Sequence, residues 1–85
     1  MNFGEALTEL KNGNRVARAG WNGKGMWLRL VPKNAWLLRE RLNLDVPTAL
    51  QGNLPWIGMK TADDMFVPWL ASQTDILAED WSIAE

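Results

Sequence analysis

The sequence predicts an α+β domain, a small antiparallel β-sheet with two short helices on one face, in the order α-β-β-β-β-α-β. Apolar residues with helical spacing open the chain, and short apolar runs separated by turn residues follow them. A second helix-capping pattern precedes the final apolar run. Short hairpins with a helix at each end favour a sheet that is covered on one face. We expect a single domain over residues 1–85.

The first helix is predicted from its cap and its apolar spacing. Asn2 is followed three positions later by Glu5, the arrangement of a capping box. Gly13 fits the left-handed residue that ends a helix, so the predicted length is about ten residues. Four apolar residues recur on one face: Phe3, Ala6, Leu7 and Leu10.

Four strands are predicted after this helix, at residues 15–18, 26–31, 56–61 and 65–67. Residues 62–64 are the turn of the second hairpin, and Pro68 ends its second strand. Residues 32–55 are bounded by prolines and are predicted as a variable excursion, with a helical turn at residues 36–42.

The second helix is predicted at residues 73–79. Ser72 and Asp75 form a capping box in which aspartate replaces the more usual glutamate. Residues 80–83 follow as the last strand, in either an edge or a central position of the sheet.

Charge is divided unevenly along the chain. Residues 1–45 carry eight basic and four acidic side chains, whereas residues 46–85 carry one basic and six acidic ones. The halves can attract each other within or between chains, and the basic half also suits a small phosphorylated ligand. The net charge of −1 argues against a nucleic-acid polymer as partner. No membrane span or signal peptide is evident, so we expect a cytoplasmic protein without membrane partners.

Catalysis finds little support in the residue inventory. Histidine and cysteine are absent, which removes the commonest general base and the thiol nucleophile. Ser72 is interpreted as a helix cap rather than a nucleophile. Asp75 and Glu79 have i, i+4 spacing that could hold a hard cation, but a third ligand is missing. We therefore predict no catalytic residue, no metal and no cofactor.

Trp21 is the sharpest candidate for ligand binding because it lies in a glycine-rich loop. Glycines let the backbone approach a ligand and expose amides to an anion, and an indole ring offers a stacking surface. Asn22 and Gly23 share the loop, and Arg18 and Lys24 flank it with charges that suit a pyrophosphate. The alternative is a tight hairpin in which Trp21 covers the sheet, Asn22 shapes the turn and the cations are surface charges.

Trp69 stands just before the second helix, whose N-terminus presents unpaired amides. A ring there would lie beside an anion site, although a ring packed in the core has the same sequence pattern. Asp75 lies in the first turn of the second helix, where aspartate favours capping of that helix. Aspartate is also a residue that accepts hydrogen bonds from ribose hydroxyls or an adenine amino group. Three other tryptophans fall in predicted strands and are expected in the core or an interface, and a fourth stays unassigned: Trp27, Trp56, Trp81 and Trp36, in that order.

Four segments of the chain resemble the second Thoeris anti-defense family of phage and prophage proteins. They read NFGEAL, VARAGWNGKGMW, MKTAD and VPWLASQTDILAEDW, at residues 2–7, 16–27, 59–63 and 67–81. Their order and spacing extend the resemblance over nearly the whole chain, apart from residues 32–55.

This resemblance implies a non-enzymatic molecular sponge. Thoeris immunity makes a cyclic ADP-ribose isomer from NAD, and sponges of this family bind that signal and leave it intact. They form homo-oligomers, commonly tetramers, with ligand sites at subunit interfaces, and some relatives also capture cyclic dinucleotides of CBASS immunity. On the matching positions, the ligand-binding residues expected here are Arg18, Trp21, Asn22, Gly23, Lys24, Trp69, Ser72 and Asp75.

Each expected residue has a role that suits such a ligand. Trp21 and Trp69 would stack on its rings, as a pair across or near a subunit interface. Asn22 and Asp75 would bind the riboses or the base, and Arg18 would meet the phosphates together with Lys24. Two alternatives stay open: a homo-oligomeric structural or adaptor protein without a ligand, and a metal-dependent nucleotide hydrolase that uses one of the acidic residues of the second helix.

Overall fold

The computed structural model describes residues 1–21, 24–33 and 54–85. These residues form helices α1 (Phe3–Lys11) and α2 (Gln73–Leu77). Their five strands are β1 (Arg15–Arg18), β2 (Trp27–Val31), β3 (Trp56–Lys60), β4 (Phe66–Pro68) and β5 (Trp81–Ala84). The predicted α+β class and element order are confirmed. Neither helix is long and apolar enough to cross a membrane.

Helix α1 begins as its sequence predicts. The Asn2 side chain accepts a hydrogen bond from the Glu5 amide at 2.8 Å, and the Asn2 amide donates to Glu5 Oε1 at 3.0 Å. These two bonds satisfy amide groups that the first helical turn leaves without partners. Gly13 has a φ of 91° just after the C-cap, a conformation that favours glycine.

All five strands belong to one antiparallel sheet in the order β4-β3-β2-β1-β5. Strand β5 is therefore an edge strand, paired with β1. Opposite residues of an antiparallel pair project from the same face, so Val16 has Leu28 on one side and Ile83 on the other. This register brings the apolar positions of three strands to one face of the sheet.

The core lies between that face and α1. It contains the five buried residues Ala6, Leu10, Val16, Leu28 and Trp81. Helix α1 contacts β1, β2 and β5, and it also contacts α2, so the two helices lie on the same side of the sheet. Burial of each large apolar side chain here stabilises the fold by about 1.5–3 kcal/mol.

Several element limits differ slightly from the prediction. Strand β2 begins one residue later than predicted, at Trp27. Strand β3 ends one residue earlier, at Lys60, and β4 is shifted one residue toward the C-terminus, because Thr61 closes the turn between them. The Thr61 amide donates to the Met65 carbonyl at 2.8 Å. Most of the predicted excursion at residues 32–55, with its helical turn, lies outside the described residues.

Helix α2 is also shorter than predicted, since it ends at Leu77 rather than at Glu79. Ala78 adopts an extended conformation and turns the chain toward β5. The buried Trp81 indole donates to the Asp75 carbonyl at 3.0 Å, so a side chain satisfies a carbonyl group near the helix end.

Candidate ligand-binding site

Arg18 links β1 to the segment that carries α2 and the start of β5. Its Nε donates to Asp80 Oδ1 and its Nη1 donates to Asp75 Oδ1, both at 2.8 Å. The Arg18 side chain is 14% exposed and that of Asp75 is 13% exposed. Two carboxylates therefore bind one partly buried guanidinium, the Asp80 side chain being 33% exposed, and such charge-assisted hydrogen bonds are stronger than neutral ones.

Asp75 is surrounded by donors on both carboxylate oxygens. Besides Arg18, Oδ1 accepts from the Trp21 indole at 3.2 Å, and Oδ2 accepts from the Ser72 hydroxyl at 2.9 Å. Burial alone would raise the pKa of Asp75, but the hydrogen bonds from Arg18, Trp21 and Ser72 outweigh it and lower that pKa. The capping box predicted at Ser72 is present and forms part of this arrangement.

Asp80 fixes the start of the glycine-rich loop. Its Oδ2 accepts from the Gly20 amide at 2.7 Å, and the Asp80 carbonyl accepts from the Ala19 amide at 3.2 Å. The bond from Arg18 lowers the pKa of Asp80, and the Gly20 amide lowers it further. A side chain at Gly20 would place its Cβ 3.0 Å from Asp80 Oδ2, so the loop approaches the carboxylate too closely for a larger residue without a shift.

Four aromatic rings surround the same region. Trp81 is 2% exposed, and the Trp21 and Trp69 rings meet it edge-on, with centroids at 5.4 and 6.1 Å. Phe3 of α1 lies 5.4 Å from Trp81. Edge-to-face pairs of this kind contribute about 0.5–1.5 kcal/mol beyond area burial. Trp21 and Trp69 are thus partly buried against one ring of their own chain.

The fold brings most of the expected ligand-binding residues together. We call Arg18, Trp21, Ser72, Asp75 and Asp80 the Arg18 network. Trp69 adjoins this network through Trp81, whereas Lys24 is exposed in the loop. Asn22 and Gly23 lie outside the described residues. The expected contacts of all eight residues with a ligand stay predictions.

Asp80 belongs to the network although the sequence did not single it out. Arg18 and Asp80 are 62 positions apart, so no local pattern connects them. Within the described residues, no group of three or more acidic side chains is arranged to hold a metal ion. The carboxylate of Asp75, which the sequence offered as a possible cation ligand, already accepts hydrogen bonds from Arg18, Trp21 and Ser72.

The opposite face of the sheet carries a second aromatic group, whose two tryptophans were expected from the sequence in the core or an interface. Trp27 and Trp56 each lie beside Phe66, with ring centroids at 6.3 and 5.8 Å. A cavity of about 520 Å³ opens on this face, and Trp27, Arg29 and Phe66 help to line it. The sequence of β2 indicates that Trp27 and Arg29 share this face, since they are two positions apart in a strand.

Comparison with known proteins identifies the family. The family model described as the Thoeris anti-defense 2-like domain matches residues 1–84. A protein named Thoeris anti-defense 2, from Bacillus phage SP01, is 46% identical over 89 residues, covering 98% of this chain and 93% of that protein. Both matches include the Arg18 network and the opposite face of the sheet, and they confirm the resemblance found in the sequence. The chain belongs to the Thoeris anti-defense 2-like family.

Proposed function

We propose that this protein protects a phage from Thoeris immunity by binding and sequestering a cyclic ADP-ribose-type signal without cleaving it. The observation that carries the proposal is the family match over residues 1–84, together with 46% identity to a protein named Thoeris anti-defense 2. Family membership supports the anti-Thoeris function, and sequestration is the mechanism we add to it. The protein would act in the cytoplasm of the infected bacterium.

The chemistry of the Arg18 network favours binding over catalysis. A general base works best when its pKa lies near the ambient pH. Asp75 and Asp80 have pKa values below the ordinary aspartate value, because Arg18 and neighbouring donors stabilise their charged forms. Such carboxylates are weak bases at neutral pH, and the chain contains neither histidine nor cysteine to replace them. These properties suit a protein that holds a ligand without reacting with it.

The ligand class follows from the functional groups that this part of the chain offers. A cyclic ADP-ribose has an adenine, two riboses and a pyrophosphate, so it needs stacking rings, hydrogen-bond acceptors and cations. Trp21 and Trp69 are partly buried and both lie against the ring of Trp81, and Lys24 adds an exposed cation. In this proposal Asn22 and Asp75 bind the riboses or the base. Cyclic dinucleotides share these groups and are the second ligand class to test.

A homo-oligomer, proposed to be a tetramer, accounts for apolar side chains around α2. Leu70 is 92% exposed and Leu77 is 76% exposed, and α2 has no buried residue of its own. A domain of this length buries only about 60% of its unfolded surface, so association adds needed apolar burial. Light scattering after gel filtration should give a multiple of 9.6 kDa. Leu70→Ser combined with Leu77→Ser should reduce that mass if these residues lie in the interface, and an unchanged multimer would exclude them from it.

The direct test is recovery of the ligand. The protein is mixed with the cyclic ADP-ribose isomer, filtered to remove unbound molecules, heat-denatured, and the released material is identified by mass spectrometry. We expect intact isomer, which then reactivates a Thoeris effector in vitro. A cleaved product would contradict sequestration and indicate an enzyme, with sensitivity to a chelator as the sign of a metal-dependent hydrolase. Parallel samples with a cyclic dinucleotide test the wider ligand range.

One observation favours a second candidate, a structural or adaptor protein without a ligand. Trp21 and Trp69 already pack on Trp81 within one chain, and Arg18 already binds two carboxylates. Titration of the isomer with tryptophan fluorescence as readout separates the two candidates. An adaptor predicts no response to the isomer, and it predicts that Trp21→Ala disturbs folding or assembly alone.

A further inference from the structure

The glycine-rich loop between β1 and β2 is bonded to distant parts of the chain at both of its ends. At its start, the Gly20 amide donates to Asp80 Oδ2 at 2.7 Å. At its other end, the Gly25 carbonyl accepts from Lys60 Nζ at 3.0 Å. The two anchors come from different segments, since Asp80 precedes β5 and Lys60 is the last residue of β3. Only the first anchor belongs to the Arg18 network.

Lys60 is placed for this contact by the register of the sheet. It lies opposite Trp27, the first residue of β2, and Gly25 is two positions before that residue. The Lys60 side chain is 26% exposed, so most of its apolar stem is covered while its ammonium group reaches the loop. Gly25 has a φ of 73°, which favours glycine, and a Cβ there would fall 3.4 Å from Lys60 Nζ. The lysine and the end of the loop therefore fit closely.

The β3–β4 turn, residues 61–64, fixes Lys60 from the other side. Asp64 Oδ1 lies 2.9 Å from Lys60 Nζ, and the Asp64 amide donates to the Thr61 carbonyl at 3.1 Å. Asp64 has a φ of 64°, in the left-handed region where glycine is least strained. Glycine at this position would relieve the backbone but would remove the carboxylate that Lys60 binds. The side chain of Asp64 thus holds the ammonium group that holds the loop.

These contacts have the character of a tether rather than of a support for the whole fold. The Asp64 side chain is 82% exposed, and ion pairs at such positions contribute little to folding stability. The bonds of Arg18, by contrast, are partly buried and join β1 to α2 and to the start of β5. Loss of the Lys60 contact would therefore free the Gly25 end of the loop without unfolding the domain.

We infer that Lys60 is a positioning residue for ligand binding, which clamps the Gly25 end of the glycine-rich loop to the β3–β4 turn, so that both ends of the loop are in place when the ligand arrives. This inference rests on the proposed function, because it takes Trp21 and Lys24 as ligand-binding residues of this loop. Lys60 acts through the loop and not by contact with the ligand. A loop whose ends are already fixed loses less conformational entropy on binding, so a larger fraction of molecules is ready to bind.

The association and dissociation rates of the cyclic ADP-ribose isomer, followed by stopped-flow tryptophan fluorescence, test this role. Lys60→Met removes the ammonium group and keeps an apolar stem, whereas Lys60→Arg keeps a cation that can donate to the Gly25 carbonyl. Lys11→Met, on the exposed surface of α1, is the matched control. A positioning residue changes the fraction of binding-competent molecules and so the association rate, whereas a residue that contacts the ligand mainly changes the dissociation rate.

We expect Lys60→Met to slow association by about threefold to tenfold, the factor that corresponds to one net hydrogen bond. Its dissociation rate should stay within about twofold of the unmodified protein, a difference of about 0.4 kcal/mol. Lys60→Arg should recover most of the association rate, and Lys11→Met should change neither rate. Asp64→Gly should also slow association, while its thermal melt stays the same or rises because the backbone strain is relieved. A purely structural role for this ion pair would not combine slower association with retained stability.

The other outcomes overturn the inference in distinguishable ways. Unchanged rates in Lys60→Met overturn it and leave the proposed function standing. Faster dissociation with unchanged association would show that Lys60 contacts the ligand itself. A lower Tm in both Lys60→Met and Asp64→Gly, together with slower association, would show that the pair supports the whole fold. No binding by the unmodified protein overturns the proposed function and this inference together.

Discussion

Substitution of Gly58 by alanine tests how tightly Phe66 is seated on the sheet. Gly58 lies in β3 with a buried backbone, and its partner Pro68 belongs to β4. The added Cβ would fall 2.2 Å from Phe66 Cζ and 2.5 Å from Cε2, well inside van der Waals contact. Because backbone lies beneath the new methyl group, the Phe66 ring has to move outward toward solvent.

The expected cost follows from the contacts that the ring gives up. Phe66 pairs with Trp27 and with Trp56 at centroid distances of 6.3 and 5.8 Å. Two such pairs contribute together about 1–3 kcal/mol. Alanine restricts the unfolded chain and returns about 0.4–1 kcal/mol. The difference between these two ranges is about 0–2.6 kcal/mol with a midpoint of about 1.3 kcal/mol, and the midpoint lowers Tm by about 5–10 °C in a domain of this size.

Urea unfolding and thermal melts of Gly58→Ala measure this loss, and two companions make the result decisive. Gly4→Ala, in the first turn of α1, meets only Asn2 Oδ1 at 3.4 Å and should keep or raise stability. In a Phe66→Ala background, Gly58→Ala should become neutral or stabilising, since no ring remains to be displaced. The same loss of stability with and without Phe66 would refute the reasoning.

Three further predictions concern the Arg18 network and the core beside it. Trp21→Phe keeps the ring on Trp81 but removes the donor to Asp75, and chemical unfolding should show a loss of about 1–2 kcal/mol. Trp81→Ala should cost about 3–5 kcal/mol, which removes most of the stability of a domain at the lower end of the usual range of about 5–15 kcal/mol, and a small change would show that the ring is not central to the core. Asp75 and Asp80 have lowered pKa values in the folded state, so unfolding takes up protons in acid. Their stabilising contribution is present above the unfolded-state pKa near 3.8 and is lost as pH falls through the folded-state values. Acid titration of stability should therefore be flatter for Asp75→Asn with Asp80→Asn than for the unmodified chain.

Local features of the fold could be predicted from the sequence because their physical causes are local. The capping boxes at Asn2 and Ser72 depend on residues three positions away, and both are present in the structure. Which residues of β2 share a face is likewise a local property, because successive side chains of a strand alternate between the two faces. Helix α2 ended earlier than predicted, and the Asp75 carbonyl near its end accepts from the Ala78 amide and from the indole of Trp81, which lies outside the helix.

The arrangement of the candidate sites could not be predicted in the same way. Trp21 and Asp75 are 54 positions apart, and nothing in either neighbourhood indicates that an indole will donate to that carboxylate. The sequence did mark Arg18, Trp21 and Asp75 as candidates through their chemical types. It could not show that Arg18 binds two carboxylates, nor that Arg29 and the cavity lie on the other face of the sheet.

The pairing of β1 with β5 also has a consequence for how the chain is made in a cell. Arg18 meets Trp81 across this pair and binds Asp80, which is 62 positions later in the chain. A ribosome adds about 5–20 residues per second, so about 3–12 s separate the synthesis of the two partners. During that interval β1 has no neighbour on one side and Val16 has no Trp81 to complete its core. Until β5 is available, β1 is an unpaired edge that is open to mispairing, and the core between α1 and the sheet lacks its largest side chain.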